Sequence, residues 1–211
     1  MNINTFNDFV SKIHENSLPG INSAIQLTPS VRNSQINSIN ANPTKAAVVI
    51  CCYTNTNNEI TFPLIKRQTY TGIHSAQISL PGGKEDSLDQ NLWDTAKREL
   101  NEELGVDLRK LNKLYKLSQL FIPPSNFIVT PYLAYNSSLP KFIINKREVS
   151  EIINVTIDQL VDLKKTNRKI SNSYLKDYSV PGYIIKKHFV WGATAMILKE
   201  FKVLLNSYIF K

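Results

Sequence analysis

No run in this 211-residue chain approaches the ~18 consecutive apolar residues of a membrane-spanning helix. The opening, Met1 to Ile13, carries Asn and Asp where a secretory leader needs a basic start and an apolar run, so the expected location is the cytoplasm. Cysteine is scarce: Cys51 and Cys52 stand side by side in Ala46–Tyr53, which reads as a buried strand. Neighbours on a strand point to opposite faces, so the two are badly placed to bridge each other and read as small buried residues. There is no internal repeat and no low-complexity tract. A winged-helix segment and a long basic stripe are also missing, and neither nucleic acid nor membrane is expected as a partner.

What is present suits one domain with extensions, spanning 1–211, with an N-terminal helical and irregular extension at about 1–45. The formal net charge of +8 favours an anionic partner. Because the lysines and arginines are scattered, with short clusters such as Lys164-Lys165 and Lys186-Lys187, it hints equally at a phosphorylated small molecule and at a merely basic surface. Phe6, Phe9, Val10 and Ile13 recur at helical spacing and predict an amphipathic helix ended by Pro19-Gly20. Residues 21–45 read as an irregular connection. Ala46–Tyr53 and Glu59–Lys66 predict a hairpin about the turn Asn55–Asn58. Further strands are expected at Lys113–Phe121, Phe127–Tyr135 and Ile152–Val155, and a closing helix from about Ala193 to Tyr208. Hairpins mixed with few helices argue for an α+β domain over a doubly wound parallel sheet.

The most informative stretch runs from Pro81-Gly82-Gly83 to Val106. Residues 87–104 read as a helix: Trp93, Ala96, Leu100 and Leu104 form one apolar stripe, and Gly105 suits a left-handed stop. Ser87, with Gln90 three residues on, and Asp89 are rival N-caps. Glu99, Glu102 and Glu103 fall at i, i+3 and i+4, bordering the stripe. Charges roughly 5–6 Å apart repel by about 3 kcal/mol at an effective dielectric of about 20. In a cleft the arrangement therefore calls for a cation, and carboxylates are hard ligands that suit Mg2+ or Mn2+. On a solvated face it would be an ordinary run of good helix formers. A Gly-Gly turn lets backbone approach an ion or phosphate closely, and Arg98 can orient a carboxylate.

From Arg98 to Val106 the segment resembles the Nudix box, Arg-Glu-U-x-Glu-Glu-x-Gly-U with U apolar. Upstream, Gly83 is followed after five residues by Asp89 rather than Glu, and one extra residue precedes Arg98. Both departures are similar to the coenzyme A pyrophosphatase branch, with Pro81-Gly82-Gly83-Lys84-Glu85-Asp86-Ser87-Leu88-Asp89. A second signature of that branch is echoed by Leu64-Ile65-Lys66-Arg67 and His74-Ser75-Ala76-Gln77-Ile78-Ser79-Leu80. There Ala76 replaces a Gly and Leu80 a Phe.

The resemblance implies a Nudix-type α/β/α sandwich with a mixed β-sheet and a catalytic loop-helix-loop. It implies hydrolysis of the diphosphate bond of coenzyme A or an acyl derivative with Mg2+ or Mn2+. Glu99, Glu102 and Glu103 would be metal ligands, with the Gly82 carbonyl as a fourth. A further carboxylate is implied, as base or ligand, and Glu148 and Glu151 both remain candidates. Arg98 would orient the glutamates, and Asp86 and Asp89 would cap the helix or pair with basic groups. Arg67, His74, Gln77 and Ser79 would bind substrate, Arg67 at the 3′-phosphate. Rival readings are another nucleoside diphosphate specificity such as ADP-ribose, or a silent domain that binds a nucleotide or RNA. The resemblance leaves a homodimer open, with the first helix or the 21–45 stretch available to form it.

Overall fold

A computed structural model describes residues 1–13, 18–29, 42–69, 76–170 and 178–209. Helix α1, Ile3–Lys12, starts at Asn2, whose side chain accepts from Thr5 N, and buries Phe6 and Phe9. It stops at Ile13, ahead of the expected Pro19-Gly20. The stretch expected to be irregular contains a tight 3-10 turn at Ile21–Leu27. Strands β1 (Thr44–Thr54) and β2 (Ile60–Arg67) form the expected hairpin. Asn55 closes it by accepting from the N–H groups of Asn57 and Glu59, each at 2.9 Å. Two short strands follow, β3 (Ile78–Ser79) and β4 (Gly82–Lys84), then helix α2 (Leu92–Leu104). Beyond it come β5 (Leu111–Lys116), β6 (Leu120–Ile122), β7 (Phe127–Asn136) and β8 (Val149–Thr156). The short helix α3, Ile157–Asp162, carries a capping box between Thr156 and Gln159. Strands β9 (Lys165–Ile170), β10 (Tyr178–Ile185) and β11 (His188–Trp191) precede the closing helix α4, Gly192–Ile209.

The main sheet is mixed, with β3-β2-β1-β7-β5 as its path and β4, β6 and β8 pairing with β1, β7 and β2. Strands β1 and β7 run parallel, from Thr44 opposite Phe127 to Tyr53 opposite Asn136, while the other pairings are antiparallel. Alternation along β1 divides its side chains between two cores. Ile50 and Cys52 pack with Phe6 and Phe9 of α1 and with Phe201 and Leu205 of α4. Val49 and Cys51 pack with Ala96, Leu100 and Leu104 of α2. The sheet thus lies between α1 and α4 on one side and α2 on the other, the α+β sandwich expected. The two thiols lie in opposite layers, and burial pushes Cys51 up to about 12. Each fully buried leucine of α2 contributes about 1.5–3 kcal/mol, so the apolar stripe fixes the helix against β1.

Strands β9, β10 and β11 make a separate three-stranded antiparallel sheet. It is seated through Tyr183, Ile185 and Val190 in the α4-side core. Lys164, Lys165, Arg168, Lys169, Lys186 and Lys187 lie on or beside it, with no acidic side chain among its described residues. The fold therefore gathers charge that is spread along the sequence. No helix among the described residues is long and apolar enough to cross a membrane.

Candidate active site

The loop before α2 brings Gly82 and Gly83 against the sheet. Gly82 pairs with Val48 and has φ +146, and a Cβ there would fall 2.6 Å from Val48 Cα. Gly83 answers a different demand: a Cβ would stand 2.5 Å from the Glu99 carboxyl carbon. The first glycine lets the backbone close onto β1, and the second leaves room for a carboxylate.

Helix α2 begins later than expected. Asn91 is its N-cap, accepting from the N–H groups of Trp93 and Asp94, so neither Ser87 nor Asp89 holds that position. Residues 87–90 belong to the turn, where Asp86 accepts from Leu88 N and Asp89 from Asp86 N. The helix ends at Gly105 in the left-handed conformation, as expected. Its last carbonyls are taken up by the following segment: Ile143 N donates to Leu104 O at 2.8 Å and Asn145 N to Glu103 O at 3.0 Å. Those orphan carbonyls thereby anchor residues 143–148 at the helix end. Gln68 N donating to Glu148 O at 2.8 Å ties the same segment to the end of β2.

The three helix glutamates separate. Glu103 is fully buried; its Oε2 accepts from Gly82 N at 2.9 Å, and Arg67 Nη1 stands 3.4 Å from its Oε1. Burial pushes Glu103 up to about 8, against the lowering effect of Gly82 N–H and Arg67. Burial also raises Glu99, opposed by Arg98 at 2.8 Å. Glu102 points outward, half exposed, with Oε2 at 3.0 Å from Arg98. Among the described residues Glu99, Glu103 and Glu148 form a cluster: one carboxylate oxygen from each lies within 4.8 Å of the others. These are hard oxygen donors, one of them desolvated and costly to ionise alone, so they fit a divalent cation.

Arg98 holds this arrangement. It donates to both oxygens of Asp89, at 3.1 and 3.0 Å, to Glu99 and Glu102, and to Lys84 O at 3.0 Å. The Arg98 hydrogen bonds pull Asp89 down to about 2. Asp89 is therefore an Arg98 partner, one of the two roles expected for it.

The other sequence candidates are distributed as follows. Glu148 joins the cluster. Glu151 lies on β8 opposite Lys66 and shares that residue's face, away from α2, with His188 Nε2 at 3.2 Å and Lys187 Nζ at 3.6 Å. Gly82 meets the cluster through its N–H, which donates to Glu103. Arg67 pairs with Glu103, and Arg67 N donates to Gln77 O at 3.0 Å. Ser79 pairs with Ile65 of β2, and its buried hydroxyl oxygen has no hydrogen-bond partner among the described residues. His74 lies outside the described residues. Sequence reasoning missed the Arg67–Glu103 contact, because the expected strand Glu59–Lys66 stops one residue short of Arg67.

A mixed sheet backed by one helix of clustered carboxylates, entered through a double-glycine turn, is a Nudix arrangement. Residues 43–178 match the NUDIX domain, and the chain belongs to that family. It is 30% identical over 164 residues to Nudix hydrolase 15, mitochondrial, of Arabidopsis thaliana, covering 74% of this chain and 56% of that protein. It thus spans little more than half of that relative's length. It is 28% identical over 142 residues to the uncharacterized Nudix hydrolase NudL of Yersinia pestis (strain Pestoides F), covering 67% of this chain and 71% of that one. The crystal structure of a MutT/nudix family protein from Enterococcus faecalis shares the fold, with a TM-score of 0.52 at 16% identity over 88% of this chain and 73% of that one.

Proposed function

We propose that this chain is a divalent-metal-dependent pyrophosphohydrolase. It cleaves the diphosphate bond of coenzyme A or an acyl derivative, giving 3′,5′-ADP and 4′-phosphopantetheine. The observation that carries the hydrolytic reading is the convergence of Glu99, Glu103 and Glu148 within 4.8 Å. The preference for coenzyme A rests on the resemblance of Leu64–Arg67 and His74–Asp89 to that branch of the family.

A divalent cation, Mg2+ or Mn2+, would supply positive charge against the diphosphate oxygens and make water easier to deprotonate. Glu99, Glu103 and Glu148 would hold it. Glu102, at the rim beside Arg98, is assigned to the side that meets substrate. Arg98 orients Glu99 and Glu102 while tied to Asp89 and Lys84, so those carboxylates need little reorganisation during the reaction. Water adds to one phosphorus, the bridging P–O bond breaks, and the displaced phosphate leaves as the second product. Glu148, on the segment anchored at the end of α2, is the carboxylate best placed to take the proton from that water.

The test is chromatographic product analysis after incubation with coenzyme A, with Mg2+ or with EDTA. Metal-dependent appearance of 3′,5′-ADP is expected. Rapid cleavage of ADP-ribose with coenzyme A left intact would overturn the substrate assignment, and inertness toward both would overturn the hydrolytic one.

A further inference from the structure

Glu103 has no solvent exposure, and among the described residues one guanidinium and one N–H reach it. Arg98, the other arginine nearby, is committed to Asp89, Glu99, Glu102 and Lys84 O. Arg67 is therefore the one cation that the described side chains place on Glu103. Its Nη1 stands 3.4 Å from Oε1, longer than the ~2.7–2.9 Å of a tight charge-assisted hydrogen bond. The contact is electrostatic and can be given up. The Arg67 side chain is 26% exposed, which leaves the guanidinium an exit. Its backbone is held: Arg67 N donates to Gln77 O, and Arg67 pairs with Val149 of β8. The same carboxyl group also contributes to the three-carboxylate cluster.

We infer that Arg67 is a positioning residue rather than the 3′-phosphate ligand: it is the counter-charge of Glu103 while no divalent cation is bound, and guanidinium and cation are alternative partners of that carboxylate. A buried carboxylate stripped of its counter-charge must take up a proton or destabilise the fold, so for Glu103 to stay ionised one of the two must be present. Binding of the cation releases Arg67 toward the open side of the site, where an anionic diphosphate would be met. This rests on the metal-site reading above and adds to it how the ion-free site stays folded. Reciprocity follows: whatever removes the guanidinium must tighten the cation.

The experiment compares wild type, Arg67→Gln and Arg67→Lys without substrate. Mn2+ affinity is read by calorimetry, and melting temperature is read in EDTA and in saturating Mn2+. Arg67→Gln should bind Mn2+ at least about tenfold more tightly. It should melt several degrees below wild type in EDTA and close that gap in Mn2+. Arg67→Lys keeps the charge and should resemble wild type in both readouts, which protects the test if the Gln variant folds poorly without metal. An equal melting loss in both conditions, or Mn2+ affinity unchanged or weaker in Arg67→Gln, would overturn the exchange. Wild type that binds Mn2+ and shows the Arg67 effect without cleaving coenzyme A would leave the exchange standing and remove the substrate assignment. Wild type that binds no Mn2+ would remove both the exchange and the metal-site reading.

Discussion

Asp89 grips Arg98 through two parallel hydrogen bonds, Nε to Oδ1 at 3.1 Å and Nη2 to Oδ2 at 3.0 Å. This fork fixes the guanidinium plane, and the remaining donors then point at Glu99, Glu102 and Lys84 O. Among the described residues, Asp89 reaches the carboxylate cluster through Arg98. Asp89→Asn keeps the shape but loses the charge and one acceptor. Turnover or Mg2+ activation should weaken by roughly 10–100-fold, as for other residues that orient ligands, with melting little changed. Steady-state kinetics across a Mg2+ titration check this, and unchanged kinetics would show that Arg98 holds its place unaided.

Gly83→Ala should act on Glu99 alone. Gly83 is not among the residues with positive φ, so alanine suits its backbone, while the new methyl would overlap the Glu99 carboxyl group. The expected result is a folded protein with a displaced Glu99 and a loss of about 100-fold in turnover, in line with the sensitivity of reacting geometry to small misplacements. Circular dichroism and turnover measured on one preparation separate this from general misfolding.

Glu148→Gln and Glu151→Gln should differ sharply. The first removes a cluster carboxylate and should lower kcat by about 10²–10⁴, the range of general acid–base loss. The second loosens a contact with His188 and Lys187 on the other face of the sheet and should leave kcat within a few-fold. Equal losses would mean that Glu151 reaches the reaction after all.

Glu200 offers a pH-dependent readout away from the site. It is buried in α4, accepts from Ser118 N and Oγ, and burial raises its pKa, opposed by those hydrogen bonds. A carboxyl group raised in the folded state keeps its proton where the unfolded chain has released it, so stability falls as pH rises from the ordinary glutamate range through the raised value. Glu200→Gln still accepts from Ser118 but cannot ionise. The variant should gain stability relative to wild type across that window and show no gain below it. Denaturant unfolding at a series of pH values measures the difference, and a pH-independent offset would refute this account.

Much of α2 was legible because Ala96, Leu100 and Leu104 pack against β1 by periodicity alone, while Trp93 meets Tyr132 at its edge. Its start was not. Ser87, Asp89 and Asn91 all suit an N-cap, and Asp89 is drawn away by an arginine nine positions on, a contact that local spacing does not encode. The three glutamates were found as a group, but their division into buried, half-buried and exposed depends on the approach of β4, which sequence periodicity does not describe. The choice between Glu148 and Glu151 turns on the register of β8 against an irregular end of β2. Strands β9, β10 and β11 escaped notice because Pro181 and Gly182 interrupt the apolar pattern of β10 and β9 is mostly polar.

The parallel pairing of β1 with β7 has a kinetic consequence. Ten register pairs join Thr44–Tyr53 to Phe127–Asn136, and the helix of carboxylates lies on the chain between them. During synthesis that helix emerges before its second flanking strand exists, and loop closure must be completed before the distant contacts repay it. The turns of the helix form early and locally. The cluster assembles late, since Glu148 follows β7 in the chain, and nascent protein truncated before residue 148 would hold the helix without the third carboxylate of the cluster.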